Sequence, residues 1–236
     1  MINENKDKGV IAEINSETDF VAKNDKFKDL VADMTEHIIS SEAQTVDEIL
    51  DEGWYNNEDK DVNTVIKEAI ANIGENINLR RFTRYSTDGF LHGYIHMGGK
   101  IGVLVDLSGE ANEENLKVAN NIAMHIAAKA PEFLNRDKVS QEVVEKEKKI
   151  YKEQMLNEGK PEHIIDNIVE GKIDKYFTQI CLVEQEYVRD NDITVGELLE
   201  DADLSINRFV RYELGEGIET EEEDFAAEVM AEVDKK

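Results

Sequence analysis

Apolar residues recur along this chain with two periods, and the switches between them mark its elements. Residues 9–15 alternate, with Val10, Ala12 and Ile14 on one face, which predicts a strand. Phe27, Leu30, Val31, Met34 and Ile38 then form an i, i+3, i+4 stripe, which predicts a helix over 26–40 with that stripe in a core. Thr45 and Glu48 have the spacing of a capping box for a short helix. Val62, Val65, Ile66, Ala69, Ile70 and Ile73 stripe another helix, and Gly74 suits its C′ position. Strands follow over 76–85, 90–97 and 101–107. Turns at Ser86-Thr87-Asp88-Gly89 and Gly98-Gly99 separate them, and the three read as a meander. A helix covers 113–128 and stops before Pro131.

Beyond Pro131 the apolar positions thin out. Ser140 caps a charged helix reaching residue 157, with only Val143, Val144, Ile150, Tyr151 and Met155 to bury. Gly159-Lys160-Pro161 breaks it, and Pro161 is fit to open the next helix, which carries Ile165, Val169, Ile173, Tyr176, Phe177 and Ile180. The two read as an antiparallel helical hairpin. Thr194 and Glu197 form a second capping box, and a strand covers 206–214. The tail from 221 is amphipathic, with Phe225, Val229 and Val233 on one face.

The pattern repeats. Gly9-Val10-Ile11-Ala12-Glu13-Ile14 is similar to Gly102-Val103-Leu104-Val105-Asp106-Leu107, and Arg81-Phe82-Thr83-Arg84-Tyr85 to Arg208-Phe209-Val210-Arg211-Tyr212. Between them Leu30, Val31, Met34 and Ile38 match Val118, Ala119, Ile122 and Ile126, so His37 falls opposite His125. The expected fold is α+β: two similar subdomains, each a small antiparallel sheet with helices. We expect one subdomain over 1–97, a second over 98–218 containing the helical (coiled-coil) hairpin at 138–183, and a helical module over 219–236. Gly9 to His37 spans 28 residues and Gly102 to His125 only 23, so the first half carries five extra residues around 16–25. From the histidine to the second arginine motif the second half is 39 residues longer, which accounts for the hairpin. Additions to a common scaffold are where function is usually placed.

The first addition contains an acid, an aromatic and a β-branched residue, Asp19-Phe20-Val21, in an otherwise polar connector. Periodicity alone reads Phe20 as core, because it lies seven residues before Phe27 and extends the same stripe. The repeat reads it as part of an added segment, and an exposed Phe20 would be a probe made to enter something else. Asp19 has a plainer reading as a turn or N-cap residue.

Composition narrows the classes. The chain has 27 basic and 53 acidic residues, a net charge of -26, which argues against direct nucleic-acid binding and fits a solvated acidic surface. The single Cys181 excludes an intramolecular disulfide framework and a four-cysteine zinc site. No apolar run approaches the ~18 residues of a membrane span, and no secretory segment is visible, so the expectation is a cytoplasmic protein away from membranes. His92 and His96 share a strand face but are a poor metal site as a pair, and 219–224 is an acidic run read as solvated. With no phosphate-cradling glycine loop, nucleophile–base pair or metal cluster, the expectation is no enzyme, no cofactor and no metal.

The strings S-E-T-D-F-V-A-K-N at 16–24, I-G-E-N-I-N-L-R-R at 73–81, K-I-G-V-L-V at 100–105, M-H-I-A-A at 124–128, E-G-K at 170–172, R-Y-E-L-G-E-G-I-E at 211–219 and D-F-A-A-E-V at 224–229 span nearly the whole chain. On these residues the chain resembles the elongation factor Ts family, the guanine-nucleotide exchange factors of elongation factor Tu. The resemblance implies a two-subdomain core, a coiled-coil hairpin and a C-terminal helix on the partner. It implies that Thr18, Asp19, Phe20 and Val21 contact elongation factor Tu near its magnesium and phosphate site. It adds Ile101, Gly102, His125, Phe225 and Val229 as partner contacts. Each of these has a structural alternative: a strand start with a close backbone approach for Ile101 and Gly102, a satisfied core histidine for His125, and docking on this chain's own core for Phe225 and Val229. The family usually opens with a three-helix module, whereas here Met1 is followed almost at once by the first strand. The alternative function is therefore an elongation factor Tu-binding interaction module without full exchange activity. Homodimerisation through the second subdomain or the hairpin stays open.

Overall fold

A computed structural model describes residues 1–218. Phe225, Val229 and the acidic run at 219–224 lie outside the described residues. Two antiparallel sheets form the centre. The first pairs β1 (Lys8–Ser16) with β4 (Ile77–Ser86), and the second has the order β5 (Phe90–His96), β6 (Ile101–Leu107), β9 (Ile206–Glu213). Together with the helices these elements make the α+β fold that the periodicities predict.

Helices cover the outer face of each sheet. α1 (Asp19–Ala22), α2 (Asp25–Ser40), α3 (Val46–Asp51) and α4 (Val62–Ile73) belong to the first half. Their core joins Val10, Ala12 and Ile14 of β1 to Phe27, Leu30, Met34 and Ile38 of α2 and to Val62 and Ile66 of α4. α5 (Glu113–Lys129) and α8 (Val195–Asp201) cover the second sheet, where Val103, Val105 and Leu107 meet Ala119, Ile122, Ile126 and Leu199. The inner faces pack sheet against sheet through Ile11, Leu91 and Leu104, flanked by Tyr85, Val210 and Tyr212. This explains why β1 and β6 are buried on both faces rather than one.

The caps fall where the residues predict them. Thr45–Glu48 and Thr194–Glu197 are reciprocal capping boxes, Ser140 caps α6 (Gln141–Asn157), and Gly74 closes α4 with φ 89°. α6 and α7 (Glu162–Ile180) follow one another across Gly159-Lys160-Pro161 and share a small apolar cluster of Met155, Ile165, Val169 and Ile173. Cys181 ends α7 fully buried, and burial pushes its thiol up to about 11.

Two expectations change. The meander over 76–107 is not one sheet, because β4 pairs with β1 and β5 begins the second sheet. The turn between them crosses from sheet to sheet. Thr87 N–H donates to Asp7 O at 2.9 Å, and a Cβ on Gly89 would lie 2.0 Å from Leu107 O, so only glycine passes there. We propose placing the division between halves at this turn instead of at residue 97. The second change is two short hairpins, β2 (Gly53–Trp54) with β3 (Asn57–Asp61) and β7 (Glu186–Tyr187) with β8 (Asp190–Thr194). Their strands are two and five residues long and mostly polar, so they carry no hydrophobic alternation for a sequence reading to find.

Candidate functional site

The segment after β1 is a single helical turn set on a fixed base. Thr18 is the N-cap of α1: its hydroxyl accepts from Val21 N–H at 3.4 Å. The same hydroxyl donates to Glu75 Oε1 at 2.6 Å, and Thr18 N–H donates to Glu75 Oε2 at 2.9 Å. Glu75 follows the Gly74 cap of α4, so one carboxylate ties the segment to the far end of the first half. Val21 is buried in the first core. Asn24 caps α2 through its side chain and closes the segment from the other side.

Between these fixed points the turn presents two side chains outward. Asp19 Oδ2 accepts from Lys100 Nζ at 3.1 Å, a link from the first half to the residue before β6. Both partners are about half exposed, so the pair contributes at most about 1 kcal/mol. Phe20 is 85% exposed, the most exposed of the chain's large hydrophobic side chains among the described residues. Burying such a ring would contribute roughly 1.5–3 kcal/mol. The core reading from periodicity fails because Val21, one position on, takes the inward direction and leaves Phe20 facing solvent.

Of the other expected contact residues, the three that are described, Ile101, Gly102 and His125, are buried rather than exposed beside Phe20. Ile101 and Gly102 are buried at the start of β6. A Cβ on Gly102 would come within 2.9 Å of Ile11 Cδ1, so this glycine lets the two sheets approach. His125 is fully buried and is not offered to a partner in this conformation. Its Nδ1 accepts from Val188 N–H at 3.2 Å, so the proton sits on Nε2 and is given to Gln185 Oε1 at 2.8 Å. Burial lowers its pKa and keeps the ring neutral. His92 turns toward α5 and meets Asn120 Oδ1 at 3.3 Å, half-buried rather than on an open sheet surface.

His37 has the same arrangement in the first half, which the sequence reading noted only as a position opposite His125. Its Nδ1 accepts from Tyr55 N–H at 3.3 Å and its Nε2 meets Glu52 Oε2 at 3.0 Å. Glu52 and Gln185 both directly precede the short hairpins, so the repeat could have disclosed the pair.

No group of three or more potential metal ligands occurs among the described residues. No described helix is long and apolar enough to cross a membrane. What stands out among the described residues is the Phe20 ring held in solvent on a turn anchored at both ends, the form of a protein that acts by contact with another protein. The chain matches the sequence model of the family described as "Elongation factor TS" over residues 17–216. It is 67% identical over 235 residues to elongation factor Ts of Halothermothrix orenii, covering 100% of this chain and 79% of that protein. It is 45% identical over 242 residues to elongation factor Ts of Clostridium botulinum strain Loch Maree, covering 99% and 79%. To elongation factor Ts of Trichlorobacter lovleyi it is 44% identical over 235 residues, covering 94% and 76%. The chain belongs to the elongation factor Ts family. That membership makes it a nucleotide exchange factor for elongation factor Tu in translation elongation.

Proposed function

We propose that exchange works by insertion of Phe20 between helices of the GTPase domain of elongation factor Tu, beside its magnesium and phosphate site. The observation that carries this reading is a phenylalanine 85% exposed on a turn fixed at Thr18 and Val21. A fixed turn loses little conformational entropy on binding, so burial of the ring is available to distort the partner. Asp19 releases or shares Lys100 to meet partner groups beside the ring. Thr18 and Val21 act as positioning residues. Displaced helices would disturb magnesium coordination and the phosphate-binding loop, which loosens GDP.

An exchange factor binds the nucleotide-free partner better than the GDP-bound one, and the coupling is reciprocal. Roughly 10⁴-fold acceleration needs about 5.5 kcal/mol, whereas one buried phenylalanine supplies about 1.5–3 kcal/mol. Phe20 is therefore the leading point of a wider interface. The test is release of a fluorescent GDP from elongation factor Tu. Phe20→Ala should slow the accelerated release by about 10- to 100-fold. Full acceleration in a folded Phe20→Ala chain sinks the insertion mechanism, and binding without acceleration by the unaltered chain would identify an interaction module instead.

A further inference from the structure

β5 and β6 are joined by a single turn of 3₁₀ helix, Met97–Gly99, whose backbone is left-handed throughout. Gly98 and Gly99 have φ of 67° and 103°, which glycine adopts freely. Met97 has φ 51°, a region that disfavours side chains with a Cβ. The strain gains nothing inside the described chain: Met97 is 64% exposed and belongs to none of its apolar clusters. Ile95 is 65% exposed as well. It pairs with Gly102 and lies on the face of β5 that Leu91 presents to the first sheet, beyond the point where that cover ends. Lys100, one residue past the turn, is the residue that holds Asp19 next to Phe20. The turn that carries Met97 is thus tied, through the Lys100–Asp19 pair, to the segment that carries Phe20.

We propose that Ile95, Met97 and Phe20 form one contact surface, and that Met97 and Ile95 dock on an apolar strip of elongation factor Tu flanking the place Phe20 enters. This rests on the Phe20 insertion reading. An observed backbone outlier points toward function, since strain without internal compensation persists where a partner uses it. Methionine suits the role because its unbranched thioether adapts to irregular apolar surfaces.

Binding of the full chain to nucleotide-free elongation factor Tu tests the inference. Asparagine tolerates the left-handed region, so Met97→Asn removes the apolar side chain while keeping the turn. Met97→Asn should weaken the complex about tenfold, Ile95→Ala less, and Met97→Leu should retain affinity. Full affinity in a folded Met97→Asn chain overturns the inference whatever Phe20→Ala does. Full exchange activity in Phe20→Ala overturns the reading beneath it, and the two failures are read from separate variants.

Discussion

The two halves of this chain are built from the same parts and differ in what is added to them. In the first, Glu13 stands opposite Arg81 across β1 and β4, and Arg81 Nε donates to its carboxylate at 2.6 Å. In the second, Asp106 stands opposite Arg208 across β6 and β9, and Arg208 Nε donates at 2.8 Å. The pairing shifts just past the acid in both halves, with the extra residue on the partner strand, Arg80 in β4 and Asn207 in β9. The arginines then cross over: Arg81 lies 4.1 Å from the ring centre of Tyr212, and Arg208 4.0 Å from that of Tyr85. Each half supplies the cation for the other half's aromatic ring. Thr83–Tyr212 and Tyr85–Phe209 hydrogen bonds close the same seam. The shared residues therefore make the scaffold and its junction. The unshared ones, the Phe20 turn and the α6–α7 pair, stand outside it.

The equivalence breaks at three further points. Glu52, a carboxylate, stands where Gln185 supplies an amide to the buried histidine. Arg84 closes the end of its half by donating to Ile38 O and Ala43 O at 2.7 and 2.6 Å. Its counterpart Arg211 turns to Glu213 instead, and its Nε is buried with no hydrogen-bond partner among the described residues. The third point is the connection after the first strand of each half. Residues 108–112 lead from β6 to α5 with no helical turn, whereas α1 interrupts the corresponding path after β1. The acid–arginine–tyrosine pairs thus recur in both halves while the connections differ.

The largest test of this comparison is in the two cores. Ile38 and Ile126 are equivalent and fully buried. Ile38→Ala and Ile126→Ala should each cost about 2–5 kcal/mol in urea unfolding. Because a third core lies between the sheets, each variant should still unfold in one transition. Two separated transitions would show that the halves are independent and that the seam contributes little.

A smaller effect is expected from the acids of the seam. Glu13→Gln and Asp106→Asn should each cost about 1–3 kcal/mol, since each leaves arginine donors short of a charged acceptor. The pH dependence sharpens the case of Glu13. Burial opposes its charge, but hydrogen bonds from Arg80, Arg81 and Asn15 outweigh that and hold its carboxyl below the ordinary range. A lowered folded value means that the native state binds fewer protons. The stabilisation is present above the unfolded value of about 4.3 and is lost as pH falls through the lowered one. Glu13→Gln should flatten that part of the acid-stability curve, read by denaturation at stepped pH. An unchanged acid slope would mean that Glu13 is not the group responsible.

Much of this was legible in the residues because it is local or periodic. The stripes of α2 and α4, both capping boxes and the Gly74 cap depend on spacing alone. The repeat goes further, since the unequal spacing of its two copies alone places the added residues around Phe20. What stayed hidden depends on contacts distant in sequence. Ser86 to Gly89 has hairpin chemistry, yet turn residues do not determine whether the flanking strands pair, and β1 supplies the partner for β4. Thr18 and Glu75 lie 57 residues apart, and nothing in either string marks them as bonded. For His125 the alternative of a satisfied core histidine is open, but a histidine among alanines does not disclose that Gln185 and Val188 are the groups that satisfy it.

The smallest expected effect separates two neighbours within the added segment. Val21 is 9% exposed and packs in the first core, while Phe20 is 85% exposed. Val21→Ala should lower stability by about 1 kcal/mol through lost burial. Phe20→Ala should leave the unfolding midpoint within about 0.5 kcal/mol of the unaltered chain, because there is almost no burial to lose. The second half has no counterpart to either residue, so the pair isolates what the addition does. A ring that makes little difference to folding and a large difference to GDP release is a binding feature. If Phe20→Ala instead unfolds as readily as Val21→Ala, the ring is packed in solution, and the first half differs from the second in its core rather than in its contact surface.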